Sequence, residues 1–248
     1  MSKIGFGIDV GGSGIKGARV DLETGEFVGD RIKILTPKPA TTDAVAETIV
    51  AILNQAEWDG PVGITLPSVV KNQHAHTAAN IDPSWVNTDL TELFSRHLPE
   101  RRVHVLNDAD AAGLAEVKFG HPDASHGSVI MLTFGTGTAF FQDGVLFPNT
   151  ELGHLAFKNS EVEKYASSAV KDNEELSYTQ WAKRVSKVLT EFERLFWPSL
   201  FIAGGGISRK SEKWIPKLTS TTPVVAAELR NRAGIVGAAM AVEQGLLP

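Results

Sequence analysis

The stretch that decides the fold is IDVGGSGIKG, residues 8–17, in which a Gly-rich turn follows an apolar run. Gly12, Gly14 and Gly17 have the spacing of a G-x-G-x-x-G dinucleotide motif. That motif requires its glycines to open a helix, with an acidic residue about 20 positions onward. Residues 18–27 have no helical apolar stripe and reach a turn, so the glycines open a strand instead. The sequence therefore disfavours a dinucleotide site, and the GK[ST] of a P-loop is also missing.

A Gly-rich turn between two strands can serve another ligand. Successive backbone N–H groups that no side chain covers form a concave anion site. Asp9, at the end of the first strand, would hold a magnesium ion directly or through water, because hard cations favour carboxylate oxygen. The alternative is a tight hairpin that Asp9 merely caps. The residues of this predicted phosphate-binding turn are Gly11, Gly12, Ser13, Gly14 and Lys16.

The order of elements at the start of the chain returns later. Three strands are predicted at 5–10, 14–21 and 26–35, joined by the Gly-rich turn and a tight turn. Residues 128–147 repeat this order around a second Gly/Thr turn at 134–138. Strands alternating with helices indicate an α/β protein. The other predicted elements are helices at 42–54, 89–97, 161–171, 178–197, 211–218 and 233–244, a helix beginning near Asp108, and strands at 62–66, 69–75, 103–106, 200–203 and 224–226.

The composition narrows the class of protein. The chain has 248 residues, 42% of them hydrophobic, and a net charge of -5. These values are typical of a globular protein without the basic surface that nucleic acid or anionic membrane requires. No cysteine is present, which excludes disulfides, thiolate zinc sites and cysteine nucleophiles. The N-terminus lacks a signal-peptide pattern and no apolar run reaches membrane-span length, so we expect a cytoplasmic protein.

Five motifs carry a resemblance to a known family. They are DVGGSGIKG (9–17), LNDADAAGLAE (106–116), FGTGT (134–138), ELGH (151–154) and AGGGIS (203–208). In this order they resemble the ROK family of sugar kinases, which have the two-lobed actin-like (ribonuclease-H-like) ATPase fold of the α/β class. Three segments resemble the bacterial polyphosphate glucokinases within that family: HTAANIDPSW (76–85), PNTELGHL (148–155) and AELRNRAGIVGAA (227–239).

The resemblance implies a domain division and a set of binding residues. Residues 1–106 would form an N-terminal lobe and 107–233 a C-terminal lobe, with a helix over 234–248 packing back on the N-terminal lobe. The second phosphate turn would be Gly135, Thr136 and Gly137. The adenosine end of a nucleotide would lie at Gly204, Gly205 and Gly206. The sugar would be bound by Asn80, Asn107, Asp108, Glu151 and His154.

Asp108 is the predicted catalytic residue. Phosphoryl transfer to a hydroxyl needs alignment, charge neutralisation and a carboxylate that accepts the hydroxyl proton. Asp108 follows a predicted strand, where its side chain would face a cleft, so we assign it the role of general base. The alternative is that Asp108 caps the next helix, a role we expect for Asp110 instead.

Glu151 and His154 are three residues apart, so on one helical turn they would face the sugar together. A metal pair of this spacing would need a third ligand nearby. ROK kinases commonly carry a zinc-binding cysteine cluster after ELGH. Its absence here implies no zinc and leaves His154 for the sugar, as in the polyphosphate glucokinases.

The second phosphate turn departs from the family pattern. The family usually reads GTG-I-G, whereas this chain reads GTG-T-A and is shorter by two residues. Either the hairpin is tighter or residues are missing from the sequence, which leaves the role of Thr138 open. Basic residues that could line a path for a polyanionic donor are Lys16, Lys71, Arg184, Lys187, Arg209, Lys210, Arg230 and Arg232.

The resemblance implies a hexokinase that phosphorylates glucose at the 6-hydroxyl, with polyphosphate and ATP as donors, magnesium as cofactor and a homodimer as the assembly. A strictly ATP-dependent hexokinase acting on glucose or mannose is the alternative within the class. A sugar-sensing protein without catalysis, as in ROK repressors, is the alternative in another class. Those repressors carry an N-terminal DNA-binding segment, for which we expect no room because the first strand begins by residue 4.

Overall fold

The computed structural model of this protein describes residues 3–78, 81–135 and 137–248. The chain folds into two compact units. Unit 1 consists of Met1–Ala115 and Asn231–Pro248, and unit 2 consists of Glu116–Arg230. The limit expected at 106 lies nine residues before the division after Ala115, so Asn107 and Asp108 belong to unit 1 rather than to the expected C-terminal lobe; the limit expected at 233 lies three residues after Arg230.

Unit 1 is built on a five-stranded sheet. Its strands are β1 (Ile4–Gly11), β2 (Gly14–Asp21), β3 (Phe27–Ile34), β4 (Val62–Leu66) and β8 (Val103–Asn107), with a small sheet of β5 (Val70–Lys71), β6 (His74–Ala75) and β7 (Thr88–Asp89). The five strands lie in the order β3-β2-β1-β4-β8. The β1-β2 and β2-β3 pairs are antiparallel, and the β1-β4 and β4-β8 pairs are parallel. Its helices are α1 (Thr42–Gln55), α2 (Leu90–His97) and α7 (Ala233–Gln244), and α3 (Asp108–Phe119) begins in this unit.

Helix α7 packs closely on β1 and β4. A Cβ atom at Gly7 would lie 1.9 Å from the carbonyl oxygen of Ile235, and one at Gly63 would lie 1.8 Å from that of Ala238. No side chain fits at such a distance, so glycine is required at both strand positions. The other face of β1 buries Phe6 and Ile8 in a core shared with α1. The C-terminal segment is thus part of the unit that contains the first Gly-rich turn.

Unit 2 repeats the sheet topology of unit 1. Its strands are β9 (Ser128–Leu132), β10 (Thr138–Gln142), β11 (Val145–Phe147), β14 (Leu200–Ala203) and β15 (Val224–Ala226), with a hairpin of β12 (Ala156–Phe157) and β13 (Ser160–Glu161). Its five-stranded sheet has the order β11-β10-β9-β14-β15, with two antiparallel pairs followed by two parallel pairs. Its helices are α4 (Val162–Ala166), α5 (Ser168–Asn173) and α6 (Tyr178–Phe196).

Three of the predicted elements differ from the sequence-based expectation. The single strand expected over 69–75 is a hairpin, because Asn72 and Gln73 adopt left-handed backbone angles, with φ of 50° and 56°, and reverse the chain between β5 and β6. The helix expected over 161–171 is broken at Ser167, whose ψ of 162° is extended. The Ser167 hydroxyl accepts a hydrogen bond from the Val170 N–H and so caps α5, as serine does at helix N-termini.

The helix expected over 211–218 is also different. Gly206–Lys213 is a 3-10 segment, and a second 3-10 turn over Ile215–Lys217 contains Pro216 near its start. Proline at this position removes a backbone donor that a continuing helix would need. Across the described residues, no helix combines the length and the apolar composition needed to cross a membrane.

Candidate active site

The first Gly-rich turn is a two-residue hairpin at the ends of β1 and β2. Gly11 pairs with Gly14 across the two strands, and Gly12 and Ser13 form the exposed connection. A Cβ atom at Gly14 would lie 2.6 Å from the Lys33 side chain, so a larger residue there would displace this lysine. The turn therefore presents backbone rather than side chains, as an anion site requires.

Charged residues lie in one row behind this turn. Asp9 pairs with Lys16 on β2, and Lys16 pairs with Lys33 on β3. The Lys16 Nζ atom donates to Asp9 Oδ2 at 2.9 Å, and the Thr65 hydroxyl donates to Asp9 Oδ1 at 3.3 Å. About a quarter of each side chain of the Asp9–Lys16 pair is exposed. The carboxylate is thus oriented by two donors and still reaches solvent.

Three parallel strands bring the other predicted residues of unit 1 to the same sheet edge. Asp9 is in register with Thr65 on β4, and Leu66 on β4 is in register with Asn107 at the end of β8. Asp108 follows immediately as the first residue of α3 and is half-buried. Ligands of open α/β sheets bind at this carboxyl edge. The structure therefore places Asp9, Asn107 and Asp108 along one edge of the unit 1 sheet.

Asn107, rather than Asp110, caps α3, so that expectation was wrong. The Asn107 Oδ1 atom accepts hydrogen bonds from the backbone N–H groups of Ala109 and Asp110 at 2.8 and 3.2 Å. Its Nδ2 group donates to the Ser68 carbonyl oxygen at 3.1 Å. With both ends of its amide engaged and only 5% of it exposed, Asn107 fixes the start of α3.

The second Gly-rich turn closes β9 onto β10 in unit 2. The Gly137 carbonyl oxygen accepts hydrogen bonds from the Thr133 N–H at 3.0 Å and the Thr133 hydroxyl at 2.9 Å. Phe134 has a φ of 53°, a left-handed conformation that is unusual for a bulky residue. Its buried ring packs on Trp181 and Trp214, at centroid distances of 5.4 and 5.1 Å. This packing holds the turn in its strained conformation.

The three consecutive glycines lie directly against this turn. The Gly204 N–H donates to the Leu132 carbonyl oxygen at 2.8 Å. Gly205 has a φ of +71°, and a Cβ atom there would lie 2.2 Å from the Thr133 carbonyl oxygen. A Cβ atom at Gly206 would meet nothing within 4 Å. Unit 2 thus brings together two predicted donor-binding segments, and glycine is required at Gly205 by contact and by backbone angle.

The ELGH segment forms a short 3-10 turn that brings Glu151 and His154 together. The distance from Glu151 Oε2 to His154 Nε2 is 4.0 Å, which agrees with the expected common face. The other ring nitrogen, Nδ1, lies 3.3 Å from Glu161 Oε2. Burial raises the pKa of Glu151, the nearby His154 lowers it, and the negative charge of Glu163 raises it further. Hydrogen bonds from His154 and Lys164 lower the pKa of Glu161.

Thr138 links the second turn to the ELGH segment. Its hydroxyl donates to the Thr150 carbonyl oxygen and accepts a hydrogen bond from the Leu152 N–H at 3.1 Å. Only 4% of Thr138 is exposed. Its position in the shortened GTGT turn is therefore structural, because it fixes the backbone on either side of Glu151.

Glu163, which was not among the residues predicted from the sequence, lies near the second turn and Glu151. It lines a cavity of about 20 Å³ together with Gly135, Gly137 and Gly153, which is enough for one water molecule. Its charge acts on Glu151. The signal available in the sequence was an acid on the helix that follows ELGH. Two predicted residues, Asn80 and Thr136, lie outside the described residues.

Comparison with known proteins decides the family. The model of the ROK family matches residues 5–167. The chain belongs to the ROK family. It is 55% identical to a polyphosphate glucokinase of Mycobacterium tuberculosis over 239 residues, which are 96% of this chain and 90% of the relative.

Solved ROK structures confirm the predicted actin-like α/β fold. An inorganic polyphosphate/ATP-glucomannokinase from an Arthrobacter species is similar with a TM-score of 0.88 and 42% identity, covering 98% of this chain and 99% of the other. A ROK family glucokinase from Streptomyces griseus, solved with glucose and AMPPNP, has a TM-score of 0.77 and 26% identity, covering 98% and 100%. The resemblance of the five short motifs to the ROK family is thereby confirmed.

Proposed function

We propose that this protein is a glucokinase that transfers a phosphoryl group from inorganic polyphosphate to the 6-hydroxyl of glucose. The observation that carries the proposal is the 55% identity to a polyphosphate glucokinase over 96% of the chain. The two Gly-rich turns at equivalent places of two repeated sheets support it, since each presents backbone to a ligand. ATP is proposed as a second donor, because the similar Arthrobacter enzyme is a polyphosphate/ATP-glucomannokinase.

Asp108 is proposed as the general base. It stands at the carboxyl edge of the unit 1 sheet and is half-buried, so it can reach both solvent and a bound sugar. Asn107 caps the helix that begins at Asp108 and so fixes the place of this residue at the sheet edge, where its carboxylate would accept the proton of the 6-hydroxyl as the bond to phosphorus forms. General base assistance of this kind contributes roughly 10²- to 10⁴-fold in rate.

The sugar is proposed to bind to Asp108, Glu151 and His154, with Asn80 as a further contact. The raised pKa of Glu151 is consistent with a half-buried carboxylate whose solvation a sugar hydroxyl can replace. Asn107 is proposed to act mainly by positioning Asp108, because its own amide is already engaged. Glu163 joins this set because its charge acts on Glu151.

The phosphate donor is proposed to lie on two backbone turns. Gly11, Gly12, Ser13 and Gly14 with Lys16 would hold it from unit 1, and Gly135, Thr136 and Gly137 from unit 2. The glycines Gly204, Gly205 and Gly206 are proposed to face the adenosine end when ATP is the donor. The exposed Gly12–Ser13 connection and the contact between Gly205 and Thr133 support these assignments.

Magnesium is the proposed metal, and the residues present fit it. The Asp9 carboxylate supplies hard oxygen ligands at the sheet edge, and the Thr65 hydroxyl orients it. Mg²⁺ is commonly held by one or two carboxylates, several waters and substrate phosphates. When bound, it would neutralise donor charge. Lys16 shares the Asp9 carboxylate and would contribute positive charge beside the same phosphates. Zinc forms no part of the proposal.

A coupled assay of glucose 6-phosphate formation tests the function. The intact chain should phosphorylate glucose with polyphosphate and with ATP, and Asp108→Ala should lose at least about 10²-fold in kcat. Absence of activity with either donor and any hexose would leave a sugar-binding protein without catalysis. Activity with ATP alone would establish the strictly ATP-dependent alternative.

Mannose is the second candidate acceptor, favoured by the similarity to a glucomannokinase. The same assay with mannose in place of glucose shows whether mannose is an acceptor.

We also propose a cytoplasmic homodimer. Exposed apolar side chains support a subunit contact, since Phe147 is 64% exposed and Trp197 is 84% exposed. Light scattering at micromolar concentration measures the assembly directly.

A further inference from the structure

Two lysines of unit 2 converge on one tyrosine ring, that of Tyr178. The Nζ atom of Lys171 lies 4.7 Å from the ring centroid of Tyr178, and that of Lys213 lies 5.8 Å from it. The sum of these two distances is the largest separation the two ammonium groups can have. Like charges at this range repel each other. An arrangement that holds them together favours an anion between or across them.

The chain path connects both lysines to the predicted donor-binding segments. Ser168, the first residue of α5, donates its N–H to the carbonyl oxygen of Phe134 in the second turn at 2.7 Å. Lys171 lies three residues further along this short helix. Gly206 opens a 3-10 segment whose helical backbone is interrupted at Lys210 and which ends at Lys213. Lys171 is thus three residues along the chain from a contact with the second turn, and Lys213 is seven residues from the predicted donor-binding glycines.

A rigid aromatic cluster fixes the position of these cations. The rings of Trp181 and Trp214 are 4.9 Å apart, and both pack on the ring of Phe134. Trp214 follows Lys213 in the chain, and Trp181 lies three residues after Tyr178 on α6, so the two residues share a helix face. The aromatic cluster that holds the second turn thus also holds the elements that carry the two lysines.

The charge of these lysines is only weakly compensated. The Lys171 side chain is 13% exposed and its ammonium contacts Asp172 at 3.0 Å, but the Asp172 side chain is 75% exposed. Exposed ion pairs of this kind contribute little. Within the part of the chain that the structure describes, no carboxylate lies within 4.0 Å of Lys213 Nζ. An anionic ligand can therefore gain from both ammonium groups without breaking a buried ion pair.

We propose that Lys171, Lys213 and Tyr178 form a distal subsite for the phosphate donor, which binds phosphate units of a polyphosphate chain beyond those held by the Gly-rich turns. This inference rests on the proposed function and adds a place for the chain that follows the transferred phosphoryl group. Polyphosphate carries a negative charge on every unit, whereas ATP has no further phosphate to place there. The subsite therefore distinguishes long polyphosphate from ATP and from tripolyphosphate.

Steady-state kinetics of the double variant Lys171→Ala/Lys213→Ala test the subsite. With glucose saturating, KM for long-chain sodium polyphosphate should rise about tenfold, while KM for ATP changes less than about twofold. The dependence of the polyphosphate KM on added KCl should become weaker, because two screened charges are removed. Lys118→Ala is the matched control, since Lys118 is an exposed lysine of unit 2 on α3 and its loss should leave both KM values unchanged.

Further variants and a shorter donor test whether the charge of the two lysines is responsible for the effect. Arginine at both positions should restore most of the polyphosphate affinity, because the charge and the contact with the ring are kept. Tripolyphosphate should bind equally to the wild type and the double variant. An unchanged KM for long polyphosphate, or an equal rise for polyphosphate and ATP, would overturn the subsite. Thermal unfolding of each variant identifies a simple loss of folding, in which case the Lys171→Gln and Lys213→Gln single variants are measured instead.

Direct binding of long-chain polyphosphate keeps this inference distinguishable from the proposed function. If the wild type binds the polymer but does not phosphorylate glucose with it, the proposed function fails while the subsite stands, provided the double variant binds more weakly. If the wild type phosphorylates glucose with polyphosphate and the double variant binds the polymer equally well, the subsite fails while the function stands.

Discussion

The two Gly-rich turns connect equivalent strands of the two repeated sheets, yet different forces hold them. The turn of unit 1 is a minimal hairpin behind which charged residues lie in a row, Asp9, Lys16 and Lys33. The turn of unit 2 is longer and is fixed by Phe134, whose ring is buried among tryptophans. The turn of unit 1 is thus held by the backbone pairing of its two strands and by charged side chains, whereas the turn of unit 2 is held by aromatic packing. The two should respond differently to substitution.

The largest effect is expected where the second turn meets the three glycines. Gly205→Ala places a Cβ atom 2.2 Å from the Thr133 carbonyl oxygen in a left-handed conformation. We expect a loss of about 3 kcal/mol in the free energy of unfolding, as is typical of backbone strain combined with a backbone clash. Urea denaturation followed by circular dichroism measures this change.

Gly206→Ala is the matched control for that experiment. Its Cβ atom would meet nothing within 4 Å, so the free energy of unfolding should change by less than about 0.5 kcal/mol. Equal losses in the two variants would show that the close approach to Thr133 does not hold this turn.

The first turn should respond in activity rather than in stability. Lys16→Met removes the ammonium group that contacts Asp9 at 2.9 Å, in a pair that is about one quarter exposed. Such pairs contribute roughly 0–1 kcal/mol to stability, whereas loss of a charge-assisted contact to phosphate should lower kcat/KM for polyphosphate about 10- to 100-fold. Kinetics and denaturation on the same sample separate these two effects. A loss of stability without a loss of activity would contradict the role of Lys16 in donor binding.

The smallest effect concerns pH and lies in unit 1. Burial lowers the pKa of His104, whose ring contacts the Leu246 carbonyl oxygen at 3.0 Å, below its ordinary value of 6.5. The folded state thus disfavours the protonated ring. Stability from this group is present above pH 6.5 and is lost as the pH falls through the lowered pKa, by less than about 1 kcal/mol. Denaturation midpoints measured at steps of about half a pH unit between pH 7.5 and pH 5 would detect this loss of stability.

His104→Gln supplies the comparison for the pH series, because it keeps an amide that can donate to Leu246 but does not titrate. The free energy of unfolding should change less between pH 7 and pH 5 in this variant than in the wild type. Glu116 in unit 2 acts in the opposite sense, since burial raises its pKa, and the stability from its protonated form falls as the pH rises from 4.5. An identical pH dependence of unfolding in the wild type and the His104 variant would show that His104 does not contribute to it.

The sequence predicted the strands of the two five-stranded sheets well because their signals are local. The strands over 62–66 and 200–203 were placed correctly from apolar runs between turn residues, and Ala233–Gln244 from its helical pattern. The break at Ser167 was missed because serine is compatible with both a helix and a cap until the hydrogen bond to Val170 is known. Left-handed angles at Asn72 and Gln73 are likewise fixed by tertiary contacts, since the Gln73 side chain pairs with the backbone of Val105.

The contacts that support the candidate site could not be predicted from the sequence. Asp9 and Asp108 could be assigned from motif position, and the parallel strands place both at one sheet edge. The capping role of Asn107 was not predictable, because Asn107, Asp108 and Asp110 are all good capping residues. Lysines brought together over Tyr178 come from segments far apart in sequence, so no spacing reveals them.

The most direct test of the account is the rate of glucose 6-phosphate formation from polyphosphate by Asp108→Asn in a single turnover, with glucose affinity measured separately by calorimetry. The amide keeps the size of the carboxylate but cannot accept the proton in the same way. We expect a glucose affinity within about threefold of the wild type and a rate reduced by at least about 10²-fold. A variant that binds glucose and transfers the phosphoryl group at the wild-type rate would contradict it.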